Sequence, residues 1–96
     1  MATPFDAPMY IAHVRITLRP SILDPQGKAI QHALHDLGMS SIEGVRTGKF
    51  VEIRVSAESA EAAEATVRQA CEKLLANPVT EDFELLALVE PDSVSA

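Results

Sequence analysis

Strict alternation of apolar and polar residues opens the readable part of the chain. Tyr10, Ala12, Val14, Ile16 and Leu18 fall on one side, and Ile11, His13, Arg15, Thr17 and Arg19 on the other. A period of two predicts a strand with one buried and one mostly polar face. Pro20 ends it, because it has no N–H to give to a ladder. The period then changes. Ile30, Ala33, Leu34 and Leu37 share one stripe at helical spacing. The ends of this helix are well marked. Asp24 is a good N-cap, Pro25 suits the first helical position, and Gly38 stands where a left-handed residue closes a helix. A helix over 25–37 has about 13 residues and runs about 20 Å.

The pattern predicts a weaker strand over 42–47, interrupted by Gly44, and a tight hairpin connection at Gly48-Lys49. Alternation resumes over 50–55, with Val51, Ile53 and Val55 on one face and Phe50, Glu52 and Arg54 on the other. Ser56 or Ser59 can cap a second helix whose first turn is acidic (Glu58, Glu61). Its stripe is Ala60, Ala63, Val67, Ala70, Cys71 and Leu74. Glu64 and Arg68 are spaced for an i,i+4 ion pair, and Asn77-Pro78 is the stop. The last strand, 83–90, places Phe83, Leu85, Ala87 and Val89 on one face and Leu86 and Leu88 on the other.

The expected order is β-α-β-β-α-β. Short connections and right-handed crossovers put both helices on one face of an antiparallel or mixed sheet. The fold class is α+β, a two-layer sandwich related to the ferredoxin-like fold. One domain spans 10–90, between a flexible segment over 1–9 with two prolines and a polar tail over 91–96.

Composition narrows the function. With one Tyr, three Phe and no Trp among 96 residues, the core must be aliphatic. A net charge of −6 without a basic stripe disfavours nucleic acid and anionic membranes. No apolar run reaches the ~20 residues of a membrane span, and residues 1–9 lack a secretory signal pattern. The single Cys cannot form an internal disulfide. A soluble cytoplasmic protein is expected.

On this pattern the second sheet face carries Ile11, Thr17, Phe50, Leu86 and Leu88 among Arg15, Glu52, Arg54 and Glu84. It is too apolar for a solvated face and too charged for a core. Isolated exposed apolar residues are normal on a surface, but the expectation is self-association or partner docking: a homo-oligomer, dimer or tetramer, that buries this face or joins sheet edges.

Catalytic constellations are weak. Residues 44–50 (Gly-Val-Arg-Thr-Gly-Lys-Phe) fail as a phosphate loop. Only three residues separate the glycines, Phe50 replaces the Mg²⁺-binding hydroxyl, and a strand follows instead of a helix. His32 and His35 have a spacing that can hold a metal but no marked partner ligand, and read as solvated helix residues. His13 reads as surface or interface. Cys71 lies in an apolar stripe and reads as a core thiol. Glu58, Glu61, Glu64 and Glu72 read as a solvated face. An acylphosphatase would need an Arg in a glycine-rich first loop and a positioned Asn. Here Arg19 precedes a loop with no glycine before Gly27, and the only Asn is Asn77.

Three stretches carry a family resemblance: Leu23-Asp24-Pro25-Gln26-Gly27-Lys28-Ala29-Ile30; Val45-Arg46-Thr47-Gly48-Lys49; and Leu74-Leu75-Ala76-Asn77-Pro78-Val79-Thr80-Glu81-Asp82-Phe83-Glu84. In order and spacing the chain resembles the small, PurS-type subunits of phosphoribosylformylglycinamidine synthase. The resemblance implies a non-catalytic subunit in de novo purine synthesis. In that complex a large synthetase subunit uses ATP and Mg²⁺ to activate formylglycinamide ribonucleotide, and a glutaminase subunit releases ammonia. The small subunit serves assembly, with a part in ammonia transfer, and binds no cofactor itself. Catalytic, cofactor-binding and metal residues are therefore none. Asp24, Pro25, Gln26, Gly27, Lys28, Arg46, Gly48, Lys49, Asn77 and Pro78 are the expected partner-contact residues. The competing reading is a free-standing dimeric ferredoxin-like domain that senses a small molecule. Against it, the loop over 20–24 lacks the glycine such domains offer to an amino-acid ligand.

Overall fold

A computed structural model of the chain describes residues 8–90; residues 1–7 of the expected lead-in over 1–9, and the tail over 91–96, lie outside the described residues. The elements are β1 (Met9–Leu18), α1 (Pro25–Asp36), β2 (Gly48–Ser56), α2 (Ala60–Ala70), a π-helical turn (Cys71–Leu75) and β3 (Glu81–Val89). The central strand starts at Met9, one residue earlier than expected. The sheet order is β2-β1-β3, and both pairings are antiparallel. The architecture is an α+β two-layer sandwich, with α2 packed on the inner face of the sheet.

The core is aliphatic. Ala12, Val14 and Ile16 of β1 meet Val67, Cys71 and Ala76 from the α2 side, all essentially solvent-free. Val51, Ile53 and Val55 on β2, with Phe83, Leu85 and Leu88 on β3, pack against this cluster but are only partly buried. α2 thus covers the middle of the inner face and leaves its flanks half open. Ser59 caps α2, its Oγ accepting from the Ala62 N–H at 3.1 Å, and Arg68 pairs with Glu64 at 2.8 Å.

Three features depart from the pattern. First, residues 42–47 form no strand. A hairpin at Gly48-Lys49 would fold them back on the open edge of β2, but the segment lies along α1, bonded to it by Gln31 and His35. Gly48 and Lys49 instead begin β2, opposite Thr17 and Ile16. Second, a register shift at His13/Val14 opposes Val14 to Leu85 but His13 to Ala87. Leu86 is the extra residue of this bulge. Beyond it the faces exchange: Leu88 joins the core, while Ala87 and Val89 turn to the outer face with His13 and Ile11. Third, α1 does not lie on the sheet. Its only buried residue is Gly27, and no α1 residue joins the core cluster.

The outer face has the mixed character expected. His13 bonds Glu52 at 3.2 Å and stacks near Phe50, with ring centroids 5.2 Å apart; Arg15 pairs with Glu84. Phe50 remains 63% exposed.

Candidate functional site: the corner where three segments meet

Antiparallel register puts the C-terminal end of β1 beside the first residues of β2 and β3: Thr17 faces Gly48, and Leu18 faces Glu81. The turn into α1, the segment entering β2 and the turn entering β3 therefore converge at one end of the sheet. These are the three stretches that the sequence singled out.

Asp24 is the hub. It is 4% exposed. Its Oδ1 accepts from the Gly27 N–H at 3.0 Å, as an N-cap should, and Pro25 follows in the first turn. Its Oδ2 accepts from the Thr47 N–H at 2.6 Å, and the Thr47 hydroxyl donates to the same carboxylate at 2.8 Å. The Gly27 and Thr47 N–H groups, then the Thr47 hydroxyl and the Arg46 charge, outweigh desolvation. They draw the Asp24 pKa from 3.8 to about 2. Gly27 must be glycine here for reasons of space: a Cβ would lie 2.4 Å from the Val45 carbonyl oxygen.

Arg46 is a clamp. Its guanidinium donates to the Ile22 carbonyl at 3.0 Å, to Arg19 at 3.0 Å and to Leu18 at 3.3 Å. Those carbonyls belong to the turn that leads from β1 to α1. The fork geometry of arginine allows one side chain to gather all three. Residues 46–49 are not a hairpin: Arg46 and Thr47 bond groups inside the fold, although the Arg46 side chain stays exposed. This also explains the missing strand: the Thr47 N–H goes to a carboxylate instead of a ladder.

The third segment is tied in as well. Asn77 makes an Asx turn, its Oδ1 accepting from the Val79 N–H at 2.9 Å, and its own N–H donates to Glu81 at 2.7 Å. Arg19 reaches the Pro78 carbonyl with its guanidinium and the Thr80 carbonyl with its N–H. Lys49 lies 3.9 Å from Glu81. A cleft of about 400 Å³ opens between the segments, lined by Ile16, Leu18, Asp24, Pro25, Gln26, Thr47, Gly48, Lys49 and Glu81. Lys28 and Arg46 line a neighbouring hollow, and Pro78 a third beside Arg19. Of the ten expected contact residues, Pro25, Gln26, Lys28, Lys49, Asn77 and Pro78 offer exposed side chains or ring edges, and Gly48 exposed backbone. Asp24, Gly27 and Arg46 instead build the corner. Thr47 and Arg19 were not singled out as site residues. Their roles depend on long-range carbonyl and carboxylate partners that no local pattern displays.

Above the corner stands α1. Leu37 is 72% exposed, Leu23 66%, Met39 47% and Ile30 37%. The strap over 39–47 runs back along the helix, held by Gln31 Nε2 on the Glu43 carbonyl at 3.3 Å and by His35 Nε2 against the Ile42 carbonyl at 2.7 Å. His35 is thus a strap contact. Among the described residues no group of three or more His, Cys, Asp or Glu is placed to hold a metal ion. Cys71 is buried, and burial pushes its thiol pKa up, away from nucleophile character. No helix is long and apolar enough to cross a membrane among the described residues.

A cross-linked corner that carries a projecting helix with a bare apolar stripe defines a small α+β subunit that works through contacts. Comparison with known proteins is specific. The PurS family profile, described as phosphoribosylformylglycinamidine (FGAM) synthase, matches residues 11–88. The chain belongs to the PurS family. It is 44% identical over 75 residues to the PurS subunit of Bacillus subtilis phosphoribosylformylglycinamidine synthase, covering 78% of this chain and 88% of that one. It superposes on PurS of Thermus thermophilus with a TM-score of 0.77 at 46% identity, covering 86% of this chain and 98% of that one. It also matches a chain in a structure of PurLQS from Thermotoga maritima, with a TM-score of 0.75 at 32% identity over 86% and 98% of the two chains. Membership of this family disfavours the sensing-domain reading.

Proposed function

We propose that this chain is the non-catalytic small subunit of a cytoplasmic phosphoribosylformylglycinamidine synthase. It joins a large synthetase subunit to a glutaminase subunit. ATP and Mg²⁺ belong to the synthetase, and this chain binds no cofactor. The observation that carries the reading is the convergence of the three family-like segments at one corner, in a fold shared with a chain of PurLQS. A rigid wedge at a subunit junction keeps ammonia from water and from protonation while it passes between sites. Here the wedge is stiffened by the bonds of Asp24 and Arg46, and it presents Gln26, Lys28, Lys49 and Pro78 outward.

The subunit acts as a homo-oligomer. An amphipathic helix must bury its stripe, and α1 has none of its own sheet beneath it. The half-open flanks of the inner sheet face are the matching apolar surface. A second copy supplies both, so that each α1 covers a flank of the other sheet in a closed, reciprocal exchange.

The test is reconstitution. Glutamine-dependent formation of the amidine product should require this chain in addition to the two larger subunits. A synthase that runs at full rate on glutamine without it would overturn the reading.

A further inference from the structure

We propose that Asp24, Arg46 and Thr47 form a joint that fixes the direction in which α1 leaves the sheet, and that self-association depends on this joint. The proposal rests on the reciprocal exchange of α1 described above. α1 and its strap are a long arm attached to the body almost entirely through its base. The buried helical residue, Gly27, lies in the first turn, and it sits against the Val45 carbonyl. The strap bonds of Gln31 and His35 join the strap to the helix, not to the sheet. What sets the angle between arm and sheet is therefore the corner. The Asp24 carboxylate locks the start of the helix to Thr47, one residue before β2 begins. Arg46 locks the last carbonyls of β1 and its turn to the same point. Both chain passages between body and arm, one going out at 18–24 and one returning at 45–47, are thus tied to each other. A rotation of about 15° at such a base displaces the tip of a 12-residue helix, about 18 Å away, by about 5 Å. A partner surface that meets Leu37 and Ile30 then loses its register. These three residues act by positioning α1, and they need no contact with the second copy.

The experiment measures direction and association separately. Labels at His32→Cys and Arg54→Cys, both exposed positions, report the arm-to-sheet distance; the native Cys71 is buried and stays unlabelled. Labelled chain is diluted into unlabelled chain, and distance distributions are recorded by pulsed dipolar spectroscopy. Sedimentation gives the self-dissociation constant. The parent should show a narrow distribution. Combined Arg46→Ala and Thr47→Ala should broaden it and weaken association by about tenfold or more. Restoring only the hydroxyl, with Thr47→Ser in the Arg46→Ala chain, should recover part of both. An unchanged distribution in the double variant overturns the joint. A broadened distribution with an unchanged dissociation constant overturns its role in association. A parent that stays monomeric overturns the exchange of α1 itself, and with it the dependence of association on the joint, while the distance distributions still judge the joint as a hinge. The circular dichroism spectrum separates these results from unfolding, since α2 and the greater part of the sheet lie outside the corner.

Discussion

Asp24 and Thr47 are 23 residues apart in the chain, yet the carboxylate of one accepts both the backbone N–H and the hydroxyl of the other. This contact joins the start of α1 to the start of β2 across the whole arm. It also makes the carboxylate's charge a structural requirement. The Asp24 pKa is depressed to about 2 from 3.8. A depressed acid contributes its stability above the unfolded value and loses it as the pH falls through the folded value. Asp24→Asn should therefore melt below the parent by a constant gap above about pH 4, and the gap should close between about pH 4 and pH 2. Thermal melts across that range measure it. A gap that stays the same to pH 2 would show that the charge is not what matters.

Gly27 sets two effects against each other. Alanine is about 1 kcal/mol better than glycine inside a helix. At this position, however, the added methyl would lie 2.4 Å from the Val45 carbonyl oxygen, which is backbone and cannot swing away. Such overpacking costs about 1–3 kcal/mol. The clash should win, so Gly27→Ala is expected to lower the urea midpoint. Gly38 serves as the contrast. It closes α1 at a φ of +94° with nothing near its Cβ position. Substitution there should cost about 1 kcal/mol through backbone strain alone.

The exposed stripe of α1 gives a test of assembly that leaves the monomer intact. Leu37→Glu alters a residue that is 72% exposed and outside the core. The circular dichroism of the chain should be unchanged. Sedimentation velocity should show a shift to monomer, and the melting temperature should lose its dependence on protein concentration. A variant that associates like the parent would remove the helix stripe from the interface.

Where the sequence was legible, the information was local. Asp24, Pro25 and Gly38 delimit α1 through capping chemistry that acts within one turn, and the structure places α1 within a residue of that reading. The same holds for Ser59 and the Glu64–Arg68 pair on α2. What failed was tertiary. Residues 42–47 have a strand's composition, but Arg46 and Thr47 give their donors to carbonyls and a carboxylate far away in the chain. The amphipathic α1 was expected on its own sheet because periodicity reports that a stripe must be covered and not which chain covers it. The three stretches stood out one by one in the sequence, while their meeting at one corner and the cross-links through Thr47 and Arg19 did not.

The bulge in β3 offers the sharpest comparison. Simple alternation assigns Leu86 and Leu88 to one face, so alanine at either should cost about the same. The register shift between His13 and Val14 separates them. Leu88 packs against the core cluster, while Leu86 is 44% exposed. Removing the buried part of a leucine side chain from a core costs about 2–3 kcal/mol, since the transfer and cavity contributions add. An exposed leucine loses little on truncation, within about 0.5 kcal/mol. Leu88→Ala should therefore shift the urea midpoint several times further than Leu86→Ala, with both measured at dilutions where the chain is monomeric. Equal shifts would mean that β3 keeps strict alternation and that the faces do not exchange beyond His13.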